Sequence, residues 1–161
     1  PYNMPKSKLI LQNNNHFTLK KCSGYNFNVI GGECANLYID EDTTLQNTKI
    51  FLNNEKGASV TIGKDCMFSF DIVIWASDTH QILDNTTKQI LNRSKCGVRI
   101  GSHVWCGTKT IILKDAKISN NSVVGASSVV TKQFDEENII VAGNPARKVK
   151  SNIIWKREDF N

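Results

Sequence analysis

The sequence of 161 residues has no apolar run near the roughly 18 residues that a membrane-spanning helix requires. Pro1 to Lys8 lack the charged-then-apolar order of a secretory signal, so a cytoplasmic protein is expected. The sequence starts at Pro1 rather than an initiator Met, which leaves an upstream piece open. No Cys-x-x-Cys pair occurs among Cys22, Cys34, Cys66, Cys96 and Cys106; their odd number and wide spacing offer neither a zinc site nor a disulfide framework. There is no block of five basic residues, and the aromatics do not interleave with the cations. The net charge of +5 therefore gives no support to nucleic acid, and a phosphate-bearing small ligand or an anionic surface remains open. Helix signals are weak throughout. At 40% hydrophobic and 22% charged residues the chain has a globular balance, and its length corresponds to a single domain.

A repeat is present in place of helices. From Ile100 onward apolar residues recur every six positions at Ile100, Cys106, Ile112, Ile118, Val124 and Val130. The next positions, Gly101, Gly107, Leu113, Ser119, Gly125 and Thr131, are small except for Leu113. A period of six fits neither the 3.6 of a helix nor the 2 of a simple strand. It fits a solenoid that turns a corner every six residues, with β-branched residues filling the interior and small ones at the corners. Ile62-Gly63, Phe68-Ser69 and Ile74-Trp75 keep the phase, so Cys66 and Cys106 fall at buried, chemically inert positions. Before Ile62 the register loosens: Ile39, Leu45 and Phe51 are six apart, but Ile62 lies 11 beyond Phe51, which reads as irregular early coils with one deletion.

The expected organisation is an extended or mixed cap over 1–25, coils over 26–135 and a tail over 136–161. Ala146 to Trp155 could form a short terminal helix or hook. Between Ile74 and Ile100 the pattern lapses, and 79–97 reads as a loop excursion that opens near His80. A rigid coil positions such a loop, whose residues are free of packing duty.

Three blocks, Ile100-Gly101-Ser102-His103-Val104-Trp105-Cys106-Gly107, Val124-Gly125-Ala126-Ser127-Ser128-Val129-Val130-Thr131-Lys132 and Ala142-Gly143-Asn144-Pro145-Ala146-Arg147, resemble in order and spacing the hexapeptide-repeat acyltransferases. The resemblance covers about residues 60–155. It implies an all-β, left-handed parallel β-helix that moves an acetyl group from acetyl-CoA, with no metal. Ser77-Asp78-Thr79-His80, the loop, and His103-Val104-Trp105 resemble the branch that O-acetylates capsular polysaccharide and sialic acid. The resemblance implies His80 as the catalytic histidine and Trp105 as the tryptophan that helps hold the acyl donor. It places donor contacts at Thr108, Ala126, Thr131 and Lys132, with Arg147 and Lys150 nearer the phosphates, and it implies a homotrimer with active sites between subunits. Ser127, Cys106 and Leu113 depart from the usual pattern.

The residue types suit this chemistry. A sugar hydroxyl must lose its proton to attack a thioester, and imidazole, with an unperturbed pKa of about 6.5, can take that proton and return it to the leaving thiolate. Asp78 and Asp84 both stand near enough in sequence to orient His80, as could a backbone carbonyl. His103 reads as a surface or packing residue, and His16 receives no role. Small Ala126 would let the backbone approach the pantetheine arm, and Lys132, Arg147 and Lys150 suit phosphates. Arg93, Lys95 and Arg99 could meet an acidic acceptor, Arg93 first among them. A lone chain would leave apolar faces that include Phe68, Phe70 and Trp75. The rival readings are an acetyltransferase for a free sugar, amino sugar or drug, and a non-catalytic scaffold. A zinc carbonic anhydrase on the same solenoid lacks its third histidine in the coils.

Overall fold

The computed structural model describes residues 6–158; residues 1–5 of the expected cap and 159–161 of the expected tail lie outside them. The chain winds through six three-sided turns. The first comprises β1 (Lys8–Leu11), β2 (His16–Leu19) and β3 (Ser23–Tyr25), and the second β4 (Asn28–Gly31), β5 (Asn36–Ile39) and β6 (Thr44–Gln46). The third comprises β7 (Lys49–Leu52), β8 (Ser59–Ile62) and β9 (Met67–Phe68), and the fourth β10 (Val73–Trp75), β11 (Val98–Ile100) and β12 (Trp105–Cys106). The fifth comprises β13 (Ile111–Ile112), β14 (Lys117–Ile118) and β15 (Val123–Val124). The sixth comprises β16 (Val129–Val130), β17 (Gln133–Phe134) and β18 (Ile140–Gly143), after which β19 (Ala146–Lys150) folds back antiparallel.

Every third strand pairs in parallel, giving three sheets in the orders β1-β4-β7-β10-β13-β16, β2-β5-β8-β11-β14-β17 and β3-β6-β9-β12-β15-β18-β19. Apolar residues stack inside: Val29, Ile50, Ile74, Ile112 and Val130 form one ladder down the first sheet, each fully buried. Each such side chain contributes about 1.5–3 kcal/mol relative to exposure. The corners are tight. A Cβ on Gly107 would come 2.6 Å from the Ala126 nitrogen, and one on Gly101 2.7 Å from the Asn120 nitrogen, which explains the small residues that follow the inward position. Most corners also carry one residue at positive φ. At the corner between the second and third sheets these are Asp42, Asp65, His103, Asn121 and Asn138, mainly residue types that tolerate the left-handed region.

Several sequence expectations change. The segment expected as a cap contributes β1–β3, which continue the three sheets. No deletion separates the early coils from the later ones. β4, β5, β7 and β8 are four residues long and each points two residues inward, whereas the two-residue strands of the later turns point one. Ile50 and Leu52, and not Phe51, are the inward residues of β7; Phe51 faces outward, stacked on Trp75 with ring centroids 4.0 Å apart. Phe68 is buried in the core instead of lying on an outer face, while Phe70 is exposed as expected. Among the described residues there is no helix. Ala146–Lys150 form a strand because β18 presents a free edge, and the chain beyond it forms an irregular hook.

The hook closes along one corner. Ile153 exchanges hydrogen bonds with Asn138, its N–H donating to the Asn138 carbonyl (3.0 Å) and its own carbonyl accepting from Asn138 Nδ2 (3.2 Å). Trp155, buried, stacks on His103 at 4.0 Å and donates from Nε1 to the His103 carbonyl (2.9 Å). The two nitrogens of the His103 ring lie 2.6 Å from Asp65 Oδ2 and 3.1 Å from the Trp155 carbonyl. Arg157 donates to Asp65 Oδ1 (2.7 Å), the Cys66 carbonyl (2.8 Å) and the Asp42 carbonyl (3.1 Å). His103 is thus a packing residue, and the hook straps the sixth turn to the second.

Candidate functional site

The excursion leaves the first sheet after β10 and returns at β11. It is a small hairpin: Leu83 and Ile90 form an antiparallel bridge, and Leu91 N–H donates to the Ile82 carbonyl (2.8 Å). Asp84 builds its tip, accepting from the Thr86 and Thr87 amides at 2.9 and 2.7 Å. That carboxylate is therefore a turn former rather than a partner of His80. Asp78 is also engaged elsewhere, accepting at Oδ2 from Lys114 Nζ (2.5 Å) and Asn92 Nδ2 (2.7 Å). Neither carboxylate orients the imidazole, which makes no hydrogen bond among the described residues.

His80 stands at the meeting of two clefts. One is polar, with Asn54, Glu55, Gln81, Asn92 and Arg93 around it. The other is largely apolar, floored by Trp75, Ile82 and Leu113. An exposed imidazole between a polar pocket and an apolar shelf can take a proton from a hydroxyl held on the polar side. Arg93 faces the polar cleft, loosely paired with Glu55 at 3.8 Å. Leu113, the large residue among small second positions, lies on the shelf. Sequence reasoning noted it as a departure without giving it a place. The sequence marks Trp75 only as a surface aromatic, and it carries no signal for Asn92, Lys114 or Asp115.

The other expected residues fall into three groups. Thr108 and Ala126 stack at the corner between the third and first sheets, where the Ser127 N–H donates to the Thr108 carbonyl (2.8 Å). Arg147, opposite Ala142 in the β18–β19 pair, lies at the same end of the last turn and is exposed. Thr131 and Lys132 occupy the opposite edge of the first sheet, with Lys132 Nζ 5.3 Å from the Phe134 ring centroid. Lys150 pairs with Ile140 at the far end of β19, away from Arg147. Trp105 lies on the outer face of the third sheet, half exposed, with Nε1 donating to Ser69 Oγ (3.2 Å). Within one chain His80 and Trp105 thus belong to different faces of the prism.

Burial sets the cysteine chemistry. It pushes the Cys66 thiol up to about 12 and the Cys106 thiol well above its ordinary value, so neither is a nucleophile near neutral pH.

The loop is held by carboxylates as well. Asp115 Oδ1 accepts from Ser94 Oγ (2.9 Å) and from the amides of Lys95 (2.8 Å), Cys96 (2.8 Å) and Gly97 (3.1 Å). Partial burial works against ionisation of Asp78 and Asp115. The Lys114 and Asn92 donors at Asp78, and the Cys96 and Lys95 amides at Asp115, outweigh it and hold both below the ordinary value of 3.8. A carboxyl depressed on folding stabilises the folded form above its unfolded pKa and loses that contribution as pH falls below it. Acidification below about pH 3.8 is therefore expected to release segment 79–97. Limited proteolysis against falling pH checks this, with cleavage in the loop rising while the coils stay intact; loop cleavage that stays unchanged until the coils themselves unfold contradicts it.

Comparison with known proteins accords with this geometry. No protein-family model matches the chain. The chain is 41% identical over 129 residues to a polysialic acid O-acetyltransferase of Neisseria meningitidis, covering 80% of this chain and 58% of that protein. It is 39% identical over 101 residues to a polysialic acid O-acetyltransferase of Escherichia coli O1:K1, covering 63% of this chain and 32% of that protein. The chain thus spans from about a third to just over half of these relatives' length. Among solved structures, the polysialic acid O-acetyltransferase OatWY superposes with a TM-score of 0.70 at 29% identity, over 96% of this chain and 90% of that one. Three parallel sheets whose later turns are wound six residues to a side, left-handed residues at the corners, a hairpin carrying a histidine beside the coil and these similarities together show the left-handed β-helix fold of the hexapeptide-repeat acyltransferases.

Proposed function

We propose that the protein is an acetyl-CoA-dependent O-acetyltransferase acting on a carbohydrate hydroxyl, of the kind found in sialic acid or surface polysaccharide. The observation that carries this reading is His80, exposed where a polar cleft meets an apolar shelf, in a chain similar to polysialic acid O-acetyltransferases. The acceptor hydroxyl lies on the polar side near Arg93, which suits an acidic sugar. The imidazole removes its proton, the oxygen attacks the thioester carbonyl, and the thiolate of coenzyme A leaves with the proton returned by the imidazolium. Transfer is direct within a ternary complex, with no acyl-enzyme intermediate.

The donor runs along the edges of the first sheet. Thr108 and Ala126 serve one side, Thr131 and Lys132 the other, and Arg147 supplies charge for the phosphates, while Lys150, at the far end of β19, lies apart from them. Because His80 and Trp105 occupy different faces, the reading includes a homotrimer in which the Trp105 face of one copy meets the His80 loop of the next. Threefold closure of a heterologous contact is a natural arrangement for a prism.

The experiment is acceptor-dependent release of free thiol from acetyl-CoA across a panel of sialic acids, polysialic acid, nucleotide sugars and capsular oligosaccharides. Release with an acidic sugar supports the reading, and silence across the panel overturns it. Arg147→Ala is expected to raise the Michaelis constant for acetyl-CoA roughly tenfold while lowering kcat less, the value of one charge-assisted contact. An unchanged Michaelis constant contradicts the phosphate contact.

A further inference from the structure

The strongest unassigned feature is the way two consecutive residues of one corner hold both ends of the excursion. Lys114 and Asp115 follow β13, the strand stacked against β10, from which the loop departs. Lys114 Nζ, with a side chain about one-fifth exposed, donates to Asp78 Oδ2 and to the Asn92 carbonyl, both at 2.5 Å. It thus joins the outgoing and returning limbs of the hairpin at its neck. Asn92 completes the junction: its Nδ2 donates to Asp78 Oδ2 (2.7 Å) and to the His80 carbonyl (2.8 Å), and its Oδ1 accepts from the Ile82 N–H (2.8 Å). Asp115 binds the returning limb further on, through Ser94 to Gly97.

The consequence for His80 is specific. Its ring has no side-chain partner among the described residues, so only its backbone ties the imidazole to the coil, and that backbone is gripped at its carbonyl and two residues further on at Ile82. Resting on the assignment of His80 as the base, we infer that Lys114 and Asn92 are positioning residues that fix the His80 backbone, and hence the imidazole, relative to the coil. A base must stand within hydrogen-bond reach of the proton it takes, and a misplacement of about 1 Å can cost 10²-fold in rate. Lys114 touches no reacting atom in this scheme. Its contribution is rigidity, transmitted from the coil through Asp78 and Asn92.

The test uses Lys114→Met, which keeps the aliphatic stem and removes the charge, Lys114→Arg as the conservative variant, and Asn92→Ala as a disruption confined to the loop. Lys117→Met, which removes an exposed ion pair with Asp135 (2.7 Å) outside the site, is the control. Two readouts are taken. In hydrogen exchange, Lys114→Met and Asn92→Ala should exchange the Ile82 and Leu91 amides at least tenfold faster, with the β13 and β16 amides unchanged. In thiol-release kinetics kcat should fall at least tenfold, with the Michaelis constant for acetyl-CoA within twofold of the parent. Lys114→Arg should recover kcat to within about threefold, and the control should match the parent. Loop amides as well protected in both disrupting variants as in the parent would overturn the inference, as would a kcat within twofold of the parent. If the parent itself releases no thiol with any acceptor, the enzymatic reading and the positioning role that rests on it both fail, and the exchange data then report only how the loop is anchored.

Discussion

Replacing His80 by alanine is expected to lower turnover by roughly 10²–10⁴ while leaving coenzyme A affinity nearly unchanged. The range is the usual value of a positioned general base, about 3–5 kcal/mol of transition-state stabilisation at 1.36 kcal/mol per decade. The structure makes the experiment clean. His80 is exposed, and its imidazole makes no hydrogen bond among the described residues, so truncation removes no packing and orphans no buried partner. The grip on the loop passes through the His80 carbonyl, which alanine retains. A fall in kcat with the fold and donor affinity intact therefore reports chemistry. The measurement is initial-rate thiol release at saturating acetyl-CoA, beside a coenzyme A binding isotherm. A variant that retains half its activity removes His80 from the mechanism.

How much of this was legible in the sequence depends on how many residues each wall turns inward. From Ile62 onward most faces bury a single residue, so the six-residue period of Ile100, Cys106, Ile112, Ile118, Val124 and Val130 reads directly as the inner ladder. In the early turns two residues per strand point inward, and a period-two alternation is superposed on the period of six. Phe51 shows the cost. It sits six beyond Leu45 and is large and apolar, yet Ile50 fills the core while Phe51 covers Trp75 from outside. Apolar character alone does not distinguish an inner wall from an aromatic pair on an outer one.

The site was legible in part for a related reason. The lapse in the repeat after Ile74 exposed the excursion, and with it His80, because a loop that breaks a solenoid announces itself. What holds the loop left no such mark. Lys114-Asp115 looks like ordinary corner polarity, and its partners Asp78, Asn92 and Ser94 to Gly97 lie between 18 and 36 residues away in sequence. Asp78 and Asp84 stood close to His80 along the chain, and that closeness misled. One is bound to a lysine of the next turn and the other closes the hairpin tip. Contacts between turns of a solenoid are local in space and distant in sequence, so neighbouring positions are a poor guide to partners across a corner.

The same rule governs the second large effect, at the C-terminal hook. Trp155→Ala is expected to destabilise the protein by about 3 kcal/mol, the lower end of the cost for truncating a buried tryptophan, because the indole covers the outside of a corner rather than the coil interior. For a chain of this size that corresponds to a fall in Tm of roughly 6–12 °C. Three interactions are lost together: the stack on His103 at 4.0 Å, the indole N–H bond to the His103 carbonyl, and the burial of the ring. His103 and Asp65 then lose their cover, and Arg157, whose guanidinium reaches the second and third turns, loses the anchor that brings it there. Asp65 gives the strap a pH signature. Partial burial opposes its ionisation, but hydrogen bonds from His103 and Arg157 prevail and hold it below the ordinary 3.8. Its contribution is therefore complete above that value and lost as pH falls below it. Thermal melts of the parent, Trp155→Ala and Asp65→Asn should differ most near neutral pH, with the gap between parent and Asp65→Asn closing on acidification below about 3.8. Lys156→Ala, which removes only an exposed pair with Glu158, should melt with the parent. If Trp155→Ala melts there too, the hook opens independently of the coil and does not strap the sixth turn to the second.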